Sequence, residues 1–279
     1  MAAQLPLPDF FNRFAAGYVR QTGRTTLNIL NDVISSTVQR SSNPINSESI
    51  IHDTAAGPGI GAAALAATLP KEQLPKHVLV TDSTPMMVTA AKESLAESGL
   101  PDVEVREIDS QDLKDIPDGR FTHSINNFSI FTFPRPVAAV QETYRTLQPG
   151  GLAVITCWSR FPPVSIVRTA QSMIRPDLPQ MPAPGPQFLE EGVLEKVVQE
   201  GGFNKDKMSL TRRTLVVEGG EDLEGLMALF KGPMMQKARE GYSEEEEGKW
   251  AECVEKVVRN EISENGGIKF EAYVLLAVK

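Results

Sequence analysis

The chain has 279 residues, 41% hydrophobic and 23% charged, which suits one large domain, or a domain plus a cap, around a sizeable core. A net charge of −8 without any basic cluster argues against nucleic-acid binding, and no apolar run approaches a membrane span. Cys157 and Cys253 stand far apart, too few for a disulfide framework and without metal-ligand spacing, so no metal and a reducing, cytoplasmic setting are expected.

No signal peptide is expected, because the first residues lack a basic segment followed by an apolar core. Phe11, Phe14, Ala15 and Tyr18, then Leu27, Leu30, Val33 and Ile34, recur at helical spacing and predict two helices broken near Gly23. A linker, Ser41-Ser42-Asn43-Pro44, leads to the stretch on which the chain turns. There Ile50-Ile51-His52-Asp53 reads as a strand ending in an acid. Thr54-Ala55-Ala56-Gly57-Pro58-Gly59 reads as a small-residue loop, and the alanine-rich run from Ala62 to Ala67 as a helix. Strand, tight turn and helix open a doubly wound α/β fold, whose ligands sit at that turn.

The ligand is not decided by the loop alone. Gly57-x-Gly59-x-x-Ala62 satisfies the dinucleotide fingerprint, and Asp82 lies where a ribose-binding acid would. Asp53 points the other way. In a partly dry site its carboxylate repels a pyrophosphate and attracts a ligand carrying an ammonium and a sulfonium. S-adenosylmethionine is such a ligand, and this favours it over NAD.

Farther along, His77 to Asp82 reads as a buried parallel strand, and Ser83-Thr84-Pro85 starts a helix with Thr84 as N-cap and Pro85 in the first turn. Asp82 is placed to hold a ribose, and Met87 to face back toward a flat base or to join the core. Val103 to Asp109 alternates as a third strand, ending in Asp109-Ser110, an adenine site or a solvated turn. Phe121 to Asn127 is the fourth strand, ending in Asn126-Asn127 beside the cofactor's methionine part or the substrate. His123 inside it reads as a packing histidine. A helix from Val137 to Leu147, a turn at Pro149-Gly150-Gly151 and a strand from Leu152 to Trp158 follow.

Beyond Trp158 the segment from Phe161 to Pro186 is proline-rich and contains Met173 and Met181. A helix is expected from Leu189 to Glu200, a strand from Met208 to Val217, helices around residues 223–239 and 244–262, and a last strand from Lys269 to Lys279. The last two strands read as an antiparallel edge pair, and the helices between them, with the proline-rich segment, as a cap. Glu244 to Glu247 suits a solvated helix start, and Arg212-Arg213 a solvated strand edge. Met173, Met181, Phe188, Met227, Phe230, Met234 and Met235 either suit a hydrophobic ligand or form the cap's own core.

The loop Asp53 to Gly59, the segment Asp82-Ser83-Thr84-Pro85-Met86-Met87, and then Asp109-Ser110, Asn126-Asn127 and Leu147-Gln148-Pro149-Gly150-Gly151 come in an order and spacing that resemble the class I S-adenosylmethionine-dependent methyltransferases. The likeness is to the small-molecule group, with its ubiquinone, menaquinone and secondary-metabolism enzymes, and covers roughly residues 50–158. It implies a Rossmann-like seven-stranded sheet, mostly parallel with an antiparallel last strand, and a helical cap. Residues 1–46 would form an N-terminal helical lid, 47–160 the cofactor-binding core, and 161–279 the cap and final strand pair. Cofactor contacts would come from Asp53, Ala55, Gly57, Gly59, Asp82, Ser83, Met87, Asp109, Ser110, Asn126 and Asn127.

Three departures from the family stand out. Ala55 replaces its first glycine, with a negative φ still open to it. Thr122 replaces an acid, with effects expected only at the surface. His123 is unusual in its strand. The expected activity is methyl transfer to a small, largely apolar acceptor, with self-association as a homodimer left open and no catalytic base identified. Alternatives are a cofactor-binding protein that steers a rearrangement or acts as a regulator or scaffold, and, third, a nicotinamide oxidoreductase.

Overall fold

The computed structural model describes residues 24–279 together with Tyr18. The expected segment around Phe11, Phe14, Ala15 and Gly23 lies outside these residues. Helix α1 (Arg24–Asp32) passes without a break into a π-turn at Val33–Val38. Strands β1 (Ile50–Thr54), β2 (His77–Asp82), β3 (Val103–Glu107), β4 (Phe121–Asn127), β5 (Leu147–Arg160), β6 (Met208–Val217) and β7 (Ile268–Val278) form one sheet in the order β3-β2-β1-β4-β5-β7-β6. The first five are parallel, and β7 runs antiparallel to both its neighbours. The chain moves outward from β1 to one side and from β4 to the other. The crevice above the β1/β4 boundary is therefore the topological switch point.

Helices cover both faces. One face packs α1, α2 (Ile60–Thr68), α3 (Pro85–Leu95), α5 (Pro162–Ile174), α7 (Gly220–Lys231) and α8 (Glu244–Asn265) on the sheet. The other packs α4 (Pro136–Thr146) and α6 (Val193–Glu200). Alternation along β7 serves the two layers: Phe270, Ala272, Val274 and Leu276 join the first, Tyr273, Leu275 and Ala277 the second. Leu30 and Ile34 are fully buried in the first layer, each worth about 1.5–3 kcal/mol.

Several expectations need correction. The proline-rich segment begins with a helix: Pro162 and Pro163 occupy the first turn of α5, where a missing N–H costs nothing, and Ile166, Val167 and Ala170 form its buried face. β3 stops at Glu107, so Asp109 and Ser110 lie in the following loop. Thr122 acts within the sheet, its Oγ1 accepting the Ile50 N–H at 2.9 Å and lying 3.0 Å from the Ile50 carbonyl, one rung before the Ile51–His123 pairing. Arg213 ties β6 to the N-terminal segment through Asp32, Ser36 and Thr37. Met181, Phe188, Phe230 and Met235 are buried in the cores, whereas Met173 is exposed.

The cap helices α5, α7 and α8 join the sheet's strands at one end. α5 leaves from the end of β5, and α7 from the end of β6, which runs parallel to β5. α8 returns to the start of β7, whose Glu271 pairs with Arg160 at the end of β5. All three junctions lie at the carboxyl ends of the parallel strands. A capping box starts α8, with Ser243 and Glu246 each accepting the other's backbone N–H, and Trp250 Nε1 donates to the Phe230 carbonyl at 2.9 Å. No helix among the described residues is long and apolar enough to cross a membrane.

Candidate active site

β1 delivers Asp53 and Thr54 to the crevice, and the loop after it turns through three left-handed residues. Ala55 takes φ +48°, Gly57 +56° and Gly59 +86°. Ala55 therefore does not keep a negative φ. A methyl-bearing residue is held in a region that costs roughly 1–2 kcal/mol. Ala55 and Gly57 are the half-open residues of the turn, whereas Gly59 is buried and starts α2.

Asp53 lies one layer beneath the loop. It is fully buried, and its Oδ2 accepts the Ala62 N–H at 2.9 Å. A Cβ on Gly61 would fall 2.3 Å from Oδ1, so only glycine lets the start of α2 approach this closely. Oδ1 has no hydrogen-bond partner among the described residues. Burial pushes the carboxyl up to about 7, against the pull of the Ala62 and Gly61 amides. Asp53 stands near the end of β1 beside the loop, as expected, but is fully buried, so it reaches the crevice through its field.

Asp82 sits at the end of β2. Its Oδ2 accepts the Gly57 N–H at 2.8 Å and its Oδ1 the Thr84 N–H at 2.8 Å. Burial raises its pKa, and these amides oppose the rise. The side chain is half-buried, and each oxygen keeps a lone pair for a ligand. Ser83 beside it is exposed, while Met87 is buried with its sulfur 3.9 Å from a Cβ built on Gly57. Across the crevice Thr54 Oγ1 donates to Ser110 Oγ at 2.6 Å, both buried. Asp109 is exposed and caps its own loop, accepting the Gln111 N–H at 2.9 Å.

The two asparagines are not brought together. Strand alternation sends them to opposite faces of β4. Asn127 is half-buried, its Oδ1 accepting the Thr156 hydroxyl at 2.8 Å and its Nδ2 3.5 Å from the Thr26 carbonyl in α1. Asn126 is buried, with Oδ1 unpartnered among the described residues. Phe128 follows at φ +53°, rare for a bulky side chain, and stacks on Trp158 at 3.9 Å between ring centroids. Thr54, Thr156 and Phe128 escaped the sequence reading. Thr54 ends β1 and Phe128 follows the end of β4, whereas Thr156 lies inside β5, where sequence position gives no signal.

No histidine reaches the carboxyl ends. His77 opens β2 at the opposite end and meets Asp102 at 2.8 Å. His123 bonds the Asn43 carbonyl at 3.0 Å, and burial lowers its pKa. His52 is buried against Phe121 and pushed down to about 3. Among the described residues no three His, Cys, Asp or Glu side chains cluster as metal ligands.

The donor set suits a cationic, sugar-bearing ligand: two carboxylates on one side of the turn, small left-handed residues above them, and no basic side chain in the set. Residues 52–155 match a family of methyltransferase domains. Over 262 residues the chain is 23% identical to the methyltransferase ktnA of Aspergillus niger, covering 82% of this chain and 84% of that one. It is 32% identical over 111 residues to the methyltransferase tpcH of Aspergillus fumigatus, 39% of each chain. Among solved structures, the YcgJ protein of Bacillus subtilis shares the fold with a TM-score of 0.52 and 14% identity, over 92% of this chain and 98% of that one.

Proposed function

We propose that this chain, which belongs through residues 52–155 to the class I S-adenosylmethionine-dependent methyltransferases, transfers the methyl group to a small, largely apolar acceptor of the secondary-metabolite kind. One observation carries the reading: Asp82 binds the Gly57 amide, so the left-handed turn and a ribose-holding carboxylate form one preformed cradle. Asp82 takes the sugar hydroxyls, the Ser110 side receives the adenine with Asp109 beside it, and Ala55 and Gly57 face the amino-acid end. Asn127 offers its amide to the same ligand. Asp53 favours a positive charge above it without touching it.

The bound cofactor supplies a methyl made electrophilic by its sulfonium. What this chain's residues add is alignment and exclusion of water. Holding two reactants in line contributes about 7–11 kcal/mol in favourable systems. With all three histidines away from the carboxyl ends, the reading assigns the rate to positioning.

Calorimetry tests the binding half. S-adenosylmethionine and S-adenosylhomocysteine are expected to bind at micromolar protein while NADH gives no heat. Binding of NADH without either of them would refute the reading.

A further inference from the structure

The Thr156 hydroxyl on β5 binds one backbone amide and one side chain at the end of β4. It accepts the Phe128 N–H at 2.9 Å and donates to Asn127 Oδ1 at 2.8 Å. A hydroxyl has one proton, and the main-chain amide has already taken a lone pair. That proton goes to Asn127, whose amide presents its oxygen to Thr156. That leaves Nδ2 with two protons, one toward the Thr26 carbonyl and the other for a ligand. The Thr26 carbonyl, at 3.5 Å, is beyond an ordinary N–H···O length. Phe128, whose N–H the same hydroxyl accepts, occupies a left-handed conformation that its surroundings must hold in place. Thr156 is buried on β5, directly opposite Asn127 in the parallel ladder.

We infer that Thr156 is a positioning residue: it fixes the Asn127 amide so that Nδ2 donates to an oxygen of the bound ligand, the cofactor's carboxylate being the group of matching chemistry. This rests on the proposed role of Asn127 as a cofactor contact. A valine at the position keeps the shape and removes the hydroxyl. The amide is then free to turn, and Phe128 N–H loses its acceptor. A serine restores both bonds.

The experiment is a double-mutant cycle read by calorimetric titration with S-adenosylhomocysteine, well below the melting temperature of every variant. Thr156→Val is expected to weaken binding by about threefold to tenfold, the worth of one net hydrogen bond. Thr156→Ser is expected to stay within about twofold of wild type. In the Asn127→Ala background Thr156→Val should have almost no further effect, because the group it positions is gone. Equal loss in both backgrounds, or wild-type affinity for Thr156→Val, would overturn the inference and leave Thr156 a packing residue. If Thr156→Val does not fold, Thr156→Ala is read the same way. A wild-type protein that fails to bind S-adenosylhomocysteine overturns the parent reading as well. Binding that survives Asn127→Ala unchanged removes only the present one.

Discussion

Gly57 donates its amide to Asp82 Oδ2 across 2.8 Å, while Asp82 Oδ1 holds the Thr84 amide. Both carboxylate oxygens therefore face backbone donors. An asparagine would have to turn its NH₂ toward one of them. Asp82→Asn is expected to be about as harmful as Asp82→Ala, each leaving a poorly paired amide at a cost of roughly 1–3 kcal/mol. Cofactor affinity should fall by about tenfold or more in both variants, as read by titration. An Asp82→Asn variant with wild-type affinity would contradict this geometry.

Asp53 gives a pH dependence of definite sign. Its folded pKa, about 7, lies above the ordinary value of 3.8. Between these values the folded state holds the proton and the unfolded state has lost it. Stability from this group is thus present below about pH 4 and falls as pH rises toward 7, by up to roughly 4 kcal/mol. Asp53→Asn should flatten the melting temperature over that range. A cationic ligand above the carboxyl lowers its pKa, so cofactor binding near pH 7 should release up to about half a proton, the share the free protein still holds there. Titration in buffers of different ionisation enthalpy checks this, with release absent in Asp53→Asn.

Backbone strain separates two neighbouring positions in the turn. Ala55→Gly relieves a left-handed alanine, and stability should rise by about 0.5–1 kcal/mol after the glycine's entropy is counted. Gly59→Ala does the reverse: the position has φ +86°, and the new Cβ would meet Leu95 Cδ1 at 2.7 Å. It should lose about 2 kcal/mol or more. Thermal melts of the two variants should move in opposite directions.

Thr122 tests the scaffold away from the ligand. Thr122→Val removes the acceptor for Ile50 N–H, at an expected cost of about 1–2 kcal/mol. Cofactor affinity should not change, because the rung lies at the amino end of β1.

Much of this architecture was legible in the sequence. β2 reads as an apolar run because both its faces are buried, β3 reads as a strand by its alternation, and the acids at the ends of β1 and β2 follow from strand ends alone. α5 was hidden because two prolines look like a loop, although they are well suited to a first helical turn. The left-handed φ of Ala55 and Phe128 was not legible, since it is imposed by packing around the turn and by Trp158. Asn126 and Asn127 read as a pair, yet the period of two that defines a strand places them on opposite faces. The burial of Asp53 depended on how closely α2 approaches, which Gly61 permits but does not announce.

The most direct measurement is mass spectrometry of small molecules after incubation with cofactor bearing a deuteromethyl group. Label is expected in a small, largely apolar product, with S-adenosylhomocysteine formed in equal amount and both lost in Asp82→Ala. Label found instead only in protein or nucleic acid, or a small product of unchanged mass with no S-adenosylhomocysteine, would contradict the account.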